Sequence, residues 1–400
     1  MDDIIEKTEN LDLSNSNSAY KKEKGQFFTT NEILKDCVLK FILNNPSIIL
    51  EPSIGRGDLV SHILNNISNI EFDMFEIDKD IKLLDELNKD DINYCDFLKN
   101  NLQKKYDTII GNPPYVKTKK GNLYRDFIEK CYNLLKNNGE LIFIIPSDFF
   151  KLTSSVKLLN KMLENGTFTH IFHPQKEDLF EDANIDVLIF RYCKNKNLTN
   201  KVIYNDKKKY LINSNGTITF SDTNNNFTKC INDYFDIYVG IVSGKECVYK
   251  NKEFGNIQVL NGKDKKEDYI YINNFPTENH KLNEYLLKNK NKLMDRRIKK
   301  FNENNWFEWG APRNIKTIEN NLNKECIYMY NLSRNKDVAF IDKVQYFGGN
   351  LLILLPKNNK KLDLQKFINI FNSDDFKNNY MYSGRFKIGH RQLCNHLIDI

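Results

Sequence analysis

The sequence predicts an α/β protein: a doubly wound, Rossmann-like sheet over the first half and a smaller α+β unit after it. Three observations carry that reading. Short apolar runs alternate with helical segments from residue 30 to residue 146; the runs end in acidic, amide or proline residues; and past about residue 195 the alternation gives way to Lys/Asn-rich connections and short strands bearing Tyr and Phe. Alternation of this kind builds a mostly parallel sheet, whose ligands bind outside the carboxyl ends of its strands.

The elements follow in order. Residues 1–20 are polar and Ser/Asn-rich, with little to bury, and are expected to form a flexible tail. Lys24 to Asn31 leads into a helix carrying Ile33, Leu34, Cys37, Val38, Phe41 and Ile42, which Thr30 or Asn31 can cap. Ser47 to Val60 runs from a buried strand through the turn Gly55-Arg56-Gly57 into a second helix. A strand over residues 72–78, a helix over 79–88 and a short strand over 92–96 come next. Residues 106–111 form a further strand, 123–135 an amphipathic helix stopped by Asn137-Asn138-Gly139, and 140–146 another apolar strand. The change in character sets a boundary near 230, giving one domain over 21–230 and a second over 231–400.

Composition narrows the class. A 40% hydrophobic fraction over 400 residues is enough for two globular domains. No run approaches the ~20 apolar residues that span a bilayer, and the start, Met1-Asp2-Asp3-Ile4-Ile5-Glu6, is acidic where a signal peptide is basic. The chain is therefore read as an intracellular, soluble protein, and as a monomer. Of its eight cysteines, the closest pair, Cys230 and Cys247, is too far apart for CxxC-type metal spacing. No metal site is expected, and the thiols are expected to be reduced and mostly buried. The net charge of +6 is unevenly spread, for residues 231–400 carry 28 Lys+Arg against 20 Asp+Glu. A basic half beside a near-neutral one fits a polyanion-binding module next to a catalytic one; a solvated lysine-rich surface is the alternative.

Asn112-Pro113-Pro114-Tyr115, closing the run Tyr106–Gly111, is the most informative segment. A strand ends in a side-chain amide, two prolines fix the next turn by locking φ and removing donors, and an aromatic ring follows. The carbonyls of Asn112 and Pro113 can then accept from a single amino group. An exocyclic amine on a purine is a poor nucleophile because its lone pair is delocalised into the ring; two acceptors on its hydrogens favour the localised, pyramidal form reached in the transition state. Tyr115 offers a face on which a planar base can stack.

The preceding strand ends suit a nucleoside with a cationic tail. The Gly55-Arg56-Gly57 turn is too glycine-poor for a dinucleotide fingerprint and lacks the Lys-Ser/Thr of a phosphate loop. Instead Glu51, a carboxylate, opens the motif. Glu76 stands where a ribose-hydroxyl acceptor belongs, and Asp96-Phe97 offers an acceptor for an adenine amino group beside a ring face. Helix capping by Glu51 or a turn at Asp96 would explain either residue without a ligand. Taken together they describe S-adenosylmethionine.

Gly25-Gln26-Phe27-Phe28-Thr29, Glu51-Pro52-Ser53-Ile54-Gly55-Arg56-Gly57, Glu76, Asp96-Phe97, Asn112-Pro113-Pro114-Tyr115 and Gly139 through Pro146 resemble the ordered motifs of DNA adenine-N6 methyltransferases of the gamma class, of TaqI type, within the type II restriction-modification methylases. The resemblance implies a class I methyltransferase sheet with a C-terminal target-recognition domain. It implies that Thr29 and Glu51 hold the methionine end of the cofactor, with Pro52, Ser53 and Gly55 in the same turn. Glu76 and Ile77 would hold the ribose, Asp96 and Phe97 the adenine, and Asn112 would border both ligands. Asn112, Pro113, Pro114 and Tyr115 would present the target base, and Phe180 would pack its other face, with Phe172 and Phe190 as alternatives. Duplex DNA would be gripped by Lys117, Lys119, Lys120, Arg296, Arg297, Arg313, Arg385 and Arg391. A cognate restriction endonuclease would be a functional partner rather than a stable one.

Related enzymes that share this tetrapeptide methylate other planar amines, such as guanine N2 in RNA or a protein glutamine, and a non-catalytic DNA-binding subunit could keep the fold. No cysteine follows the two prolines, which disfavours the thiolate chemistry of cytosine C5 methylation.

Overall fold

A computed structural model of the protein describes residues 27–118, 121–176, 178–180, 185–195, 199–224, 228–357 and 362–398. The expected tail, Gly25, Gln26, Lys119 and Lys120 lie outside the described residues. The chain divides into two compact units, residues 1–224 with 382–384, and residues 225–381 with 385–400.

In chain order the first unit holds helix α1 (Glu32–Phe41), strand β1 (Ile48–Glu51), helix α2 (Asp58–Leu64), β2 (Glu71–Glu76), β3 (Ile92–Tyr94), β4 (Tyr106–Gly111), the short hairpin β5 (Lys117–Thr118) and β6 (Gly121–Asn122), α3 (Leu123–Leu134), β7 (Leu135–Pro146), α4 (Val156–Glu164), β8 (Thr167–Phe172), β9 (Val187–Cys193), β10 (Lys201–Tyr204), β11 (Lys207–Ser214) and β12 (Thr217–Ser221). Its ten-stranded sheet runs β12-β11-β10-β8-β9-β7-β4-β1-β2-β3. The β3-β2-β1-β4-β7 half is parallel throughout. The other half is not, because β9 pairs antiparallel with both β7 and β8, and β10-β11-β12 is an antiparallel meander. "Mostly parallel" therefore describes only the half that ends in the motif residues.

Strand alternation winds the sheet on both faces. Leu50, Ile109, Leu141 and Phe143 point to the face packed by α3 and α4 through Ile128, Cys131, Leu158 and Leu159. Their neighbours Ile49, Ile110, Ile142 and Ile144 point the other way, against Leu34, Val38, Leu59 and Ile63 of α1 and α2. Successive strand side chains face opposite sides, so these β-branched and aliphatic runs, buried on both faces, read as continuous apolar stretches. Asn31 occupies the N-cap position of α1 but makes no side-chain capping bond.

The expected helix over 79–88 does not form. Ile81 and Leu83 are both buried, two residues apart, a spacing no helix face provides. The Leu84 N–H donates instead to the Arg56 carbonyl (3.0 Å), tying this segment to the glycine turn. The expectation for the thiols also needs correction. All eight are free, but only Cys131, Cys193 and Cys326 are buried; Cys37, Cys95, Cys230 and Cys394 are half-buried and Cys247 is exposed.

The second unit is built around a four-stranded antiparallel sheet of Phe235–Val239, Leu351–Pro356, Glu325–Tyr330 and Ala339–Lys343. One core packs Trp306, Phe307 and Trp309 with Tyr249, Tyr328 and Phe347; another packs Phe235 against Phe367, Phe371 and Phe376. Among the described residues no helix is long and apolar enough to cross a membrane.

Candidate active site

Consecutive parallel strands deliver Glu51, Glu76 and Asn112 to one edge of the sheet, with Asp96 two residues beyond β3. A cavity of about 470 Å³ opens there, within the size range of small-molecule sites. Pro52, Ser53, Gly55, Glu76, Ile77, Asp96, Phe97 and Asn112 all line it. Thr29 and Glu51 line a small adjoining hollow that shares Ser53, Gly55 and Asn112 with the cavity. All ten residues expected at a cofactor are thus brought together. The sequence reading missed Phe28, Cys95, Leu98, Leu123 and Phe127 on the same wall. Phe127 could have been found from the apolar stripe of α3, whereas Leu98 carries no local signal.

The glycine turn has a steric reason. Gly57 sits at φ 93°, and a Cβ there would lie 1.9 Å from Leu87 Cδ1. Glu76 fixes the turn by accepting from the Gly55 N–H (2.9 Å), while its other oxygen takes the Ile77 and Asp78 N–H groups, each at 2.9 Å. Ile77 is 67% exposed, a large apolar side chain standing at the cavity lip. Arg56 pairs with Asp58 (2.8 Å) and lies over the Phe28 ring (5.0 Å).

Two carboxyl groups differ in character. Burial pushes the Glu51 carboxyl up to about 8, with the Ser53 N–H (3.2 Å) opposing and the nearby Glu76 adding to the rise. Burial also pushes Asp96 up, but Lys99 and the backbone N–H groups of Leu98 and Lys99 outweigh it and hold that carboxyl below its ordinary value. Phe97 is buried, stacked on Phe127 (centroids 5.7 Å apart) and capped by the Lys130 ammonium 4.5 Å from its centroid.

Asn112 is held at both ends. Its Nδ2 donates to the Phe27 carbonyl (2.9 Å) and to Thr29 Oγ1 (3.1 Å), and its Oδ1 accepts from the Tyr115 hydroxyl (2.5 Å). A carbonyl can only accept, so Phe27 fixes which end of the amide is the nitrogen. Pro113 is buried. Phe180 does reach this site: its ring lies 6.0 Å from Phe27 and 6.4 Å from Tyr115. Of the alternatives, Phe190 is buried in the opposite-face core, stacked on Phe149, and Phe172 packs at the edge of the α1–α2 cluster. Asp186, just before β9, accepts from the Ser147 hydroxyl and pairs with His173 Nε2 at 2.9 Å.

Restriction-modification methylases align with this part of the chain. A family profile described as Eco57I restriction-modification methylase matches residues 56–180, a span that contains the cavity wall from Glu76 to Phe127 and the Asn112-Pro113-Pro114-Tyr115 segment. The resemblance to type II restriction-modification methylases is borne out. The Type II methyltransferase M.HincII of Haemophilus influenzae is 32% identical over 212 residues, 48% of this chain and 41% of that protein. The modification methylase CviBIII of Paramecium bursaria Chlorella virus NC1A is 36% identical over 151 residues, 32% of this chain and 39% of its own. The chain thus spans about two fifths of the length of the curated relatives it matches. A solved Type IIL restriction-modification enzyme, MmeI in complex with DNA, aligns over 99% of this chain and 67% of its own with a TM-score of 0.54. At 10% identity that likeness is one of fold.

The positions expected at DNA fare unevenly. Lys117, on the hairpin that follows Tyr115, is exposed, as are Arg297 and Arg313; Arg385 and Arg391 are half-buried. Arg296 must be withdrawn. It is 7% exposed, and its guanidinium donates to the carbonyls of Leu293 (2.6 Å), Ser243 (3.0 Å), Glu308 (2.9 Å) and Trp306 (2.6 Å). It is an internal clamp on three backbone segments, at 243, 293 and 306–308, not a phosphate contact. Elsewhere, Glu32, Asp36 and His62 gather potential metal-ligand atoms within 4.8 Å. Those groups are already paired, His62 with Asp36 (3.0 Å) and Glu32 with Lys35 (2.7 Å).

Proposed function

We propose that the protein is a site-specific DNA methyltransferase that moves the methyl group of S-adenosylmethionine to N6 of an adenine turned out of a duplex. The observation that carries this reading is Asn112, an amide fixed at its nitrogen end and standing on the wall of a nucleoside-sized cavity. The cavity suits the cofactor. Glu51 is a buried carboxyl with one weak backbone donor, suited to an ammonium group, and Ser53 Oγ, on the same wall, is buried without a hydrogen-bond partner. Glu76 and Asp96 provide acceptors for hydroxyl and amino groups, and Ile77 and Phe97 provide apolar faces.

The cofactor supplies a sulfonium methyl; the protein supplies position. Asn112 Oδ1 and the Pro113 carbonyl accept the two amine hydrogens, which localises the nitrogen lone pair toward the cavity. No general base is needed before transfer, because the amine proton becomes acidic only once the nitrogen carries a fourth substituent. Extruding the base costs a few kcal/mol, offset by stacking on Tyr115. As part of the same proposal, residues 231–400 select the sequence, with Arg297 and Arg313 reaching phosphate, and a cognate endonuclease shares the recognition site.

The test is product analysis. Duplex DNA incubated with the protein and labelled S-adenosylmethionine, then digested to nucleosides, should release the label as N6-methyl-2′-deoxyadenosine. Label on cytosine, or label that enters RNA guanine or protein glutamine but not DNA when those acceptors are supplied in parallel, would overturn the adenine assignment.

A further inference from the structure

The place expected for the target base is already filled by the protein's own side chains. The Phe27 ring stacks on Tyr115 with centroids 5.5 Å apart and planes at 28°, and it also touches Phe180 at 6.0 Å. Tyr115 and Phe180 themselves stand 6.4 Å apart at 81°, so they do not form a parallel slot. An intercalated ring needs two gaps of about 3.4 Å between parallel planes, the ordinary base rise. The polar contact is occupied as well. The Tyr115 hydroxyl donates to Asn112 Oδ1 (2.5 Å), the atom that should receive the amine, while a second acceptor, the Ile144 carbonyl, waits 3.0 Å away. Burial raises the pKa of that hydroxyl well above its ordinary value, so it keeps its proton as the donor.

We infer that Phe27 and Tyr115 form an internal stand-in for the target base: the Phe27 ring replaces its stacking face and the Tyr115 hydroxyl replaces its amino group. This rests on the methyltransferase reading above and adds to it an internal competitor for the base site. A base enters by displacing Phe27 and taking Asn112 Oδ1, whereupon the Tyr115 hydroxyl donates its one hydrogen bond wholly to the Ile144 carbonyl. A base with no amino group displaces the ring but leaves the Tyr115 hydroxyl on Asn112 Oδ1, so the stand-in offsets part of the advantage that an amine would gain from that acceptor. The filled state also lowers the fraction of protein competent to receive a base, and apparent affinity falls by that fraction.

The 400-residue chain tests this without cofactor. After the methylated site has been mapped by sequencing DNA from an expressing strain, a duplex carrying that site is made with 2-aminopurine beside the target, whose fluorescence reports extrusion. Two versions place adenine or unsubstituted purine at the target. Phe27→Ala should capture the adenine duplex roughly 3- to 10-fold more tightly, the value of one aromatic contact. Tyr115→Phe keeps the ring and should raise the preference for adenine over purine several-fold, because Asn112 Oδ1 is then unpaired unless an amine reaches it. Equal or weaker capture by both variants, with methylation by the wild type intact, overturns the stand-in alone. Absence of any mapped adenine methylation overturns the functional reading instead. If Phe27→Ala fails to fold, the adenine-to-purine ratio of Tyr115→Phe decides.

Discussion

Two buried polar sites, one in each unit, are satisfied in opposite ways. In the first, the parallel strands carry Glu51, Glu76 and Asn112 to one edge and leave Glu51 and Ser53 with polar capacity unused beside a cavity. In the second, the most deeply buried cation, Arg296, has its donors matched to four carbonyls. Buried polar groups are ordinarily satisfied. A satisfied one speaks of architecture and an unsatisfied one, lining a cavity, speaks of a ligand. The contrast teaches that residue type alone misleads, since an arginine in a basic cluster and a glutamate at a strand end both look functional until their partners are known.

The largest expected effect breaks the comparison if it fails. Asn112→Ala should lower kcat for methyl transfer by about 10²–10³, the loss seen when one transition-state hydrogen-bonding group is removed, while calorimetry finds cofactor affinity nearly unchanged. Turnover within a few-fold of the wild type would put Asn112 on the architectural side, as a clamp on Phe27 and Thr29.

Much of the first unit was legible because topology and function coincide there. In a wound sheet the strand ends are the ligand edge, so placing the strands places Glu51, Glu76 and Asn112 without knowledge of packing. What remained hidden depends on contacts distant in sequence. The segment 79–88 has the composition of a helix, yet Leu84 bonds to Arg56 across the fold. The antiparallel entry of β9 is set by pairing with β7 and β8, which no local pattern of Val187–Cys193 encodes. In the second unit the cluster from Lys292 to Lys300 reads as one basic surface, but Leu293 and Arg296 point inward while Arg297 points out.

The next test sharpens the architectural side. Arg296→Ala leaves four carbonyls without their donor, and unsatisfied buried groups cost about 1–3 kcal/mol each before relaxation. A loss of at least about 3 kcal/mol is expected in urea unfolding, read from a probe in the second unit such as Trp306 or Trp309 fluorescence. A stable Arg296→Ala variant would return this residue to the candidates for DNA contact.

Glu51 offers a test by pH. Its folded pKa, about 8, lies above the ordinary value of 4.5, so the folded protein holds a proton that the unfolded chain releases. Without cofactor, the stability tied to this group should therefore fall as pH rises from about 4.5 to 8, by at most ~1.4 kcal/mol per pH unit, and Glu51→Gln should flatten that slope. An ammonium placed at Glu51 favours the carboxylate, so cofactor binding should release a proton between pH 5 and about 8 and tighten as pH rises through that window. Binding enthalpies that do not change with the ionisation enthalpy of the buffer would show that no ammonium meets Glu51.

The smallest effect separates two neighbouring arginines. Arg297 is exposed where Arg296 is buried, though one peptide bond divides them. Contacts to phosphate position a protein without specifying sequence, and each one lost reduces the dependence of log K on log salt by about one. Arg297→Ala should therefore leave the urea midpoint in place, weaken binding to all duplexes alike and lower the salt slope by about one, with the ratio of site to non-site affinity preserved. A change in that ratio would mean that Arg297 reads a base edge. An unchanged slope would remove it from the interface and leave Arg313 as the exposed arginine to test next, so the charge excess of the second unit would have to act through other residues than the cluster that first drew attention to it.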